Sequence, residues 1–431
     1  MSDLTVLING VVCGNLQEDR HGALSFEYVP GYAGPPLSLS MPVGLARYDD
    51  KTVRPYLMGL LPDEDGIRAS IGAAFGISGN NPFRLLQRMG LDCPGAVQVC
   101  SDAGSSSQAV AVEALIPLTE HEVAMRLAEI REDAAAAWTG VSMSEGHWSL
   151  GGCQAKLALR YDSGRWCECQ GAAATTHILK PGVSGLRYQA LVEYLSMKTA
   201  AAIGLPVAHV AYRLFESEPA IVVERYDRRR GERAGVERIH QEDLCQALGV
   251  MPSVKYAEQG GPTTPRVIEL LRSTGRNARE NVYRFILYLF FNYLVGATDA
   301  HAKNHSLLLL AEDDVRLAPL YDVASIAPYR SLAPRQRRPL RAALSIGGEN
   351  RFGFVGREHV EKMVCDSALE ELGLDAELLV GRFGKMAEFV PHALDEVIEE
   401  AYEAGTSGID EVGPAMQAEI SANCRRLLSR L

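Results

Sequence analysis

The run Phe285 to Ala297 is the longest apolar stretch in the chain, interrupted by Asn292. It is too short to span a bilayer, so it reads as a helix buried in a core. The chain has 431 residues, more than one typical core takes, and two or three domains are expected. Composition is that of a globular protein, 47% hydrophobic and 23% charged. The formal net charge of -11 repels a phosphate backbone and argues against nucleic-acid binding as the main activity. Two basic clusters, Arg228 to Arg230 and Arg335, Arg337 and Arg338, read as solvated loops. Nine scattered cysteines contain no CxxC pair, which fits free thiols in a reducing cytoplasm. Only Cys167 and Cys169 are close enough to touch, on one face of a strand. The start, MSDLTVLINGVV, lacks the basic region and cleavage site of a signal peptide.

Patterning along the chain orders the elements. Residues 3–13 and Phe26 to Pro30 read as strands, Arg54 to Ile71 as helical with a break at Pro62, and Pro82 to Met89 as a short helix. The small, polar segment 101–108 reads as a linker. Thr119 to Asp133 has helix character and Ala134 to Ser149 is loop-like. Strands follow at Ala155 to Tyr161, Arg165 to Cys169 and Thr175 to Lys180. A helix from Tyr188 to Ile203 is stopped by Gly204 and Pro206. Val207 to Phe215 and Ala220 to Glu224 read as further strands. From Glu242 onward the pattern is mostly helical, apart from a strand pair at Ser306 to Leu310 and Val315 to Ala318. This predicts an α+β chain: an N-terminal α/β subdomain (1–105), a strand-rich lobe (106–235) and a helix-rich lobe (236–431). A two-lobed kinase is laid out in this order, although fold alone does not fix function.

The sharpest chemical signal is GATDAHAKNHSLLLL (296–310). Asp299 and Asn304 have the Asp-x-x-x-x-Asn spacing of a kinase catalytic loop, where the Asp accepts the substrate hydroxyl proton and the Asn holds magnesium. The strand pair leads to Asp322, placed as a second metal-holding carboxylate; oxygen donors suit magnesium rather than zinc. His301 and His305 are four apart, but no Glu stands between them as a metalloprotease motif requires. Taken alone, Asp299 also reads as a helix cap and Asn304 as a turn residue.

Upstream, SLGGCQAK (149–156) is a glycine-containing turn whose backbone N–H groups could approach phosphates; an ordinary hairpin turn has the same look. The strand TTHILKPG places Lys180 at its end, within reach of α- and β-phosphates, and the next helix offers Glu193 as its carboxylate partner. AIVVERYDR (220–228) is a buried strand opening into charge, where Glu224, Arg225 and Tyr226 would present backbone groups to an adenine edge.

Together these residues resemble the HipA family of serine/threonine kinases, toxins of bacterial toxin–antitoxin pairs. The matching segments are SLGGCQAK, THILKP, VVERYDR, HQEDLCQALG (240–249), GATDAHAKNHS, LAPLYDVAS (317–325) and SIGG (345–348), in family order. LINGVVCGNL and RPYLMGLLPDE resemble the family's N-terminal module. The resemblance implies a protein-kinase-like fold, ATP and Mg2+ as cofactors, and transfer to a protein serine or threonine. It implies Asp299 as base, Asn304 and Asp322 as metal ligands, and Lys180 on ATP. Gly151, Gly152, Cys153, Gln154, Ala155 and Lys156 would form the phosphate loop, and Glu224, Arg225 and Tyr226 the hinge. His301, Lys303 and Tyr321 would line the same cleft, and Ser149 would be a self-phosphorylated serine. It also implies a small helix-turn-helix antitoxin of HipB type, operator DNA reached through it, and a protein substrate such as an aminoacyl-tRNA synthetase or another translation component. A cytoplasmic protein acting in persistence, without a membrane, completes that picture. The Gly-Gly-Cys of the loop departs from the Ala-Gly-Ala frequent in the family, adding a thiol without removing a backbone donor.

Three readings stand on sequence: an active kinase toxin, a kinase-like binding module without catalysis, and a kinase of small-molecule hydroxyls.

Overall fold

A computed structural model describes residues 2–44, 47–101, 113–139, 148–231, 235–311, 313–330 and 340–431. The linker expected over 101–108 lies outside these except for Ser101, as do Arg335, Arg337 and Arg338. Contacts divide the chain into two compact units. One comprises Met1–Ser184, Arg213–Val254 and Ser306–Val315; the other comprises Gly185–Tyr212, Lys255–His305 and Arg316–Leu431.

The first unit opens with an antiparallel sheet of β1 (Ser2–Ile8), β2 (Val11–Glu18), β3 (Leu24–Tyr28) and β4 (Val97–Cys100), in the order β3-β2-β1-β4. Helices α1 (Asp50–Gly59), α2 (Asp65–Phe75) and α3 (Pro82–Met89) accompany it. The cap residues are legible: Asp49 accepts from the Thr52 N–H, and Asn81 accepts from the Arg84 N–H with Pro82 at the first helical position. The helical pattern expected over Arg54 to Ile71 is two helices, parted by residues 60–64 with Pro62 among them. β4 has no counterpart in the sequence reading, because four residues buried on both faces show no alternation.

A second sheet joins β5 (Glu113–Leu118), β6 (Leu157–Asp162), β7 (Arg165–Gly171), β8 (His177–Lys180), β9 (Val210–Phe215) and β10 (Glu218–Glu224), in the order β5-β7-β6-β8-β10-β9. Helix α4 (Glu120–Glu132) follows β5 behind a capping box of Thr119 and Glu122. Both sheets share one apolar core, in which Leu4, Phe26 and Tyr56 of the N-terminal module are continuous with Leu157, Leu179 and Val222. Short strands β11 (Arg228–Arg230), β12 (Val236–Arg238), β13 (Gln241–Asp243), β14 (Ser306–Ala311) and β15 (Asp314–Leu317) complete the unit, the chain leaving it within β15. Of the basic cluster expected on a solvated loop, Arg229 and Arg230 are exposed but Arg228 is buried.

The segment 240–249 docks the N-terminal module. His240 Nε2 lies 3.1 Å from the Leu37 carbonyl, and Gln246 Nε2 donates to the Tyr56 carbonyl at 2.9 Å. Glu242 accepts from Ser38 Oγ at 2.5 Å and from the Leu39 N–H at 2.8 Å. Burial holds His240 neutral, its pKa lowered to about 4, while burial pushes the Glu242 carboxyl up to about 8. The two act in opposite directions. A histidine with a depressed folded pKa binds fewer protons than the unfolded chain, so its contribution is lost as pH falls from about 6.5 towards 4. The Glu242 contribution is instead lost as pH rises from about 4.5 to about 8. His240→Gln keeps a donor for Leu37 but does not titrate. Its stability loss relative to wild type should therefore shrink by about 2 kcal/mol between pH 7 and pH 5 in denaturant melts. A constant difference across that range would refute the assignment.

The second unit contains α5 (Gln189–Ala202), α6 (Thr264–Arg272), α7 (Ala278–Val295), α8 (Arg357–Asp366), α9 (Ala376–Glu403) and α10 (Ile409–Leu428). The apolar run of the sequence is the C-terminal half of α7. It is buried as that pattern predicts, with Phe290 stacked on Phe383 of α9 at 4.0 Å between centroids. Asn423 of α10 donates to the Tyr293 and Leu294 carbonyls at 2.8 and 3.0 Å, satisfying acceptors at the end of α7. A hairpin of β16 (Arg341–Ile346) and β17 (Glu349–Arg351) interrupts the region expected to be helical, turning through Gly347 and Gly348 at positive φ. Among the described residues no helix is long and apolar enough to cross a membrane.

Candidate active site

In the first unit the glycine loop is held by the N-terminal module. Trp148 pairs with Asp92, and the Ser149 N–H donates to the Asp92 carbonyl at 2.9 Å. Ser149 Oγ, fully buried, donates to the Leu60 carbonyl at 2.6 Å. Gly152, at φ +101°, exchanges bonds with Asp63: its N–H donates to Asp63 Oδ1 at 3.2 Å, and its carbonyl accepts from the Asp63 N–H at 3.2 Å. The exposed Cys153 thiol is 3.7 Å from Asp63 Oδ2. Gly151 takes a 2.6 Å bond from Lys156 Nζ, and Gln154 and Ala155 are half-buried between them. The loop is thus pinned from segments 60–63 and 92, and sequence reasoning assigned no role to Leu60, Asp63 or Asp92. Their partners lie far along the chain, 89 positions for Ser149 and Leu60, where no periodicity reports a contact.

Lys180 ends β8, paired in register with Ile221 of β10, and is buried. Glu224 ends β10 opposite His177. Arg225 follows directly on β10. Its N–H donates to the Thr176 carbonyl at 2.9 Å and its carbonyl accepts from the Arg228 N–H at 3.1 Å. Its guanidinium, 2% exposed, binds Asp92 and Asp227. A basic residue beside a hinge looks like a surface charge until its buried carboxylates are known. The Tyr226 hydroxyl donates to Gln241 Oε1.

In the second unit, Glu193 is buried on α5. Helix α7 ends at Gly296 in the left-handed region, and the chain turns into Asp299. Asn304, in a single 3-10 turn, donates from Nδ2 to the Asp299 carbonyl at 2.9 Å, and the His301 N–H donates to the same carbonyl at 2.8 Å. The amide group therefore locks the loop through its nitrogen and keeps its oxygen as a possible metal donor. The Asp299 side chain is 67% exposed, accepts a hydrogen bond from the Tyr256 hydroxyl, and lies 3.9 Å from His301 Nε2. The rings of Tyr256 and His301 meet edge-to-face at 4.8 Å. The His305 ring instead packs against Phe285 and Tyr288. Lys303 is buried, and its carbonyl accepts from the Tyr321 hydroxyl at 2.8 Å. Asp322 adopts φ +58°, held from both sides: Leu320 pairs with Val207, and the Ser325 N–H donates to Ser196 Oγ at 3.2 Å. Asn304 and Asp322 carry hard oxygen donors, the type that suits a magnesium ion.

Tyr256, from outside this loop, is a partner of Asp299 that sequence reasoning missed, since no spacing connects the two. Its hydroxyl orients the carboxylate, so on the sequence expectation of a kinase Tyr256→Phe should slow phosphoryl transfer about tenfold with little change in the KM for ATP. Steady-state kinetics decide this, and an unchanged kcat would refute it.

Residues 4–100 match the family model of the HipA N-terminal domain, and residues 148–402 match that of the HipA-like C-terminal domain. The chain belongs to the HipA family. A protein named as a kinase, Y4mE of Sinorhizobium fredii, is 33% identical, the match covering 92% of each chain. The serine/threonine-protein kinase toxin HipA of Shewanella oneidensis is 27% identical over 85% of this chain and 82% of its own. The solved structure of Shewanella oneidensis HipA with HipB and operator DNA superposes with a TM-score of 0.81 at 25% identity, covering 99% of this chain and 97% of that one. This is a HipA-type kinase with a kinase-like α+β fold.

Proposed function

We propose that this HipA-family chain is an ATP-dependent serine/threonine protein kinase acting as a toxin in the cytoplasm. Magnesium, when bound, neutralises charge on the transferred phosphoryl group, and Asn304 and Asp322 are the residues that would hold it. Lys180 contacts the nucleotide phosphates, residues 151–156 form the phosphate loop, and Asp299 accepts the proton of the protein hydroxyl. In this reading residues 1–105 form the N-terminal subdomain, 106–235 the ATP-binding lobe and 236–431 the catalytic lobe. A helix-turn-helix antitoxin of HipB type neutralises the toxin and carries it to operator DNA. The substrate class is a protein of translation such as an aminoacyl-tRNA synthetase.

The observation that carries this reading is the Asn304 Nδ2 bond to the Asp299 carbonyl. It ties the Asn304 side chain to the Asp299 main chain in one loop while the Asp299 carboxylate stays exposed, which supports a base and a metal-ligand role for the two.

Ser149 is the proposed site of self-phosphorylation. It must first leave the Leu60 carbonyl, and a phosphate bringing roughly two negative charges would not fit back into its buried place. Incubation with Mg-ATP and peptide mass spectrometry test the reading. Phosphate on Ser149 in wild type and its absence from Asp299→Asn support it. A wild-type chain that neither modifies itself nor transfers label to any protein would overturn it.

A further inference from the structure

Five charged side chains meet in the interior of the first unit: Asp92, Asp227, Arg225, Arg228 and Arg238. The first four are 2% exposed and Arg238 is 8% exposed. Three guanidiniums against two carboxylates leave a formal +1, and Asp92 is where all three arginines converge. Its Oδ1 accepts from Arg228 at 2.9 Å and from Arg238 at 3.3 Å. Its Oδ2 accepts from Arg225 at 3.4 Å, from the Thr175 hydroxyl at 2.7 Å and from the Thr175 N–H at 3.0 Å. The backbone of the same residue pairs with Trp148 and accepts from the Ser149 N–H at 2.9 Å. One residue therefore grips the 225–228 segment with its side chain and the start of the glycine loop with its main chain.

A solitary structural ion pair would not need this double engagement. Buried charge is costly unless every lone pair is used, and here both carboxylate oxygens are saturated. The backbone carbonyl that receives Ser149 is consequently held rigidly, because the side chain two bonds away cannot move. We propose that Asp92 is a positioning residue of the nucleotide site, setting segment 225–228 and the Ser149–Gly152 segment relative to one another within this unit. It touches neither nucleotide nor acceptor. The nucleotide consequence rests on the kinase reading above; the positioning of Ser149 does not.

Amide hydrogen exchange of the intact chain, read on peptides covering Trp148–Gly152, tests it directly. Asp92→Asn keeps shape and one acceptor but removes the charge facing three guanidiniums. Exchange at Ser149 should accelerate about tenfold or more, while peptides of α7 exchange as in wild type. That control separates local release from general destabilisation. The ATP dissociation constant should rise about tenfold, with turnover at saturating ATP within about threefold of wild type. Because Asp92→Asn leaves buried charge unbalanced, Thr175→Val is measured beside it. It is nearly isosteric, removes one donor to Asp92, and should accelerate Ser149 exchange about threefold. Wild-type exchange at Ser149 in either folded variant, or acceleration spread equally over α7, overturns the proposal. A wild-type chain that binds no ATP sinks the kinase reading instead, and leaves the exchange result to stand or fall alone.

Discussion

Replacing Asp299 with asparagine is expected to lower phosphoryl transfer on the order of a thousandfold while leaving ATP affinity within about threefold. In the proposed mechanism the exposed carboxylate acts on the acceptor hydroxyl and not on the nucleotide, so the loss belongs in turnover and not in binding. Asparagine is the informative substitution because it preserves the size of the side chain and an acceptor for Tyr256. The backbone carbonyl of residue 299, which takes Asn304 Nδ2 and the His301 N–H, is also unchanged. Loop geometry should therefore survive, and melting temperature should stay within a few degrees of wild type. Transfer of labelled phosphate at the wild-type rate would remove Asp299 from the mechanism. A joint collapse of ATP binding and melting temperature would make its role structural.

Asp322→Ala is expected to weaken ATP binding about a hundredfold in magnesium, roughly 2.7 kcal/mol, and hardly at all when the metal is chelated. The proposed carboxylate role is to hold a cation that would offset the charge of the nucleotide phosphates, so without the cation there is little to lose. The backbone supplies a control. Asp322 sits at φ +58°, a conformation that costs a non-glycine residue roughly 1–2 kcal/mol. The cost is tolerated because the Leu320–Val207 pairing and the Ser325 bond to Ser196 fix the chain on either side. Asp322→Gly should relieve that strain and hold or raise the melting temperature, yet lose magnesium-dependent binding as fully as Asp322→Ala. Calorimetry with magnesium and with chelator, on both variants, measures this. Equal losses in the two conditions would assign Asp322 a structural role.

Much of this was legible from local pattern. The Asp299 to Asn304 spacing, Lys180 at a strand end, the helix stopped by Gly204 and the buried half of α7 all follow from periodicity or from residues within a few positions. Such signals survive folding because the chain itself enforces them. Strand β4 was not legible, since four residues buried on both faces show no alternation, and the β16–β17 hairpin was not read within a region of mostly helical pattern.

Side-chain destination was the larger omission. Arg228 belonged to a run of three arginines that reads as solvent-facing, and the fold buries it against a carboxylate 136 residues away. Asp92 carries no mark distinguishing it from a surface aspartate, because a charge is admitted to the interior only where folding has assembled its partners. Asp63 and Tyr256 likewise gain their meaning from Gly152 and Asp299, which only the folded chain brings to them. The sequence by itself determined which residue types the proposed phosphoryl transfer has at its disposal and on which elements they ride. Tertiary structure alone decided which charges are buried, what pins the glycine loop, and how the Asp299 carboxylate is oriented. Those depend on contacts across the chain, and no local period encodes them.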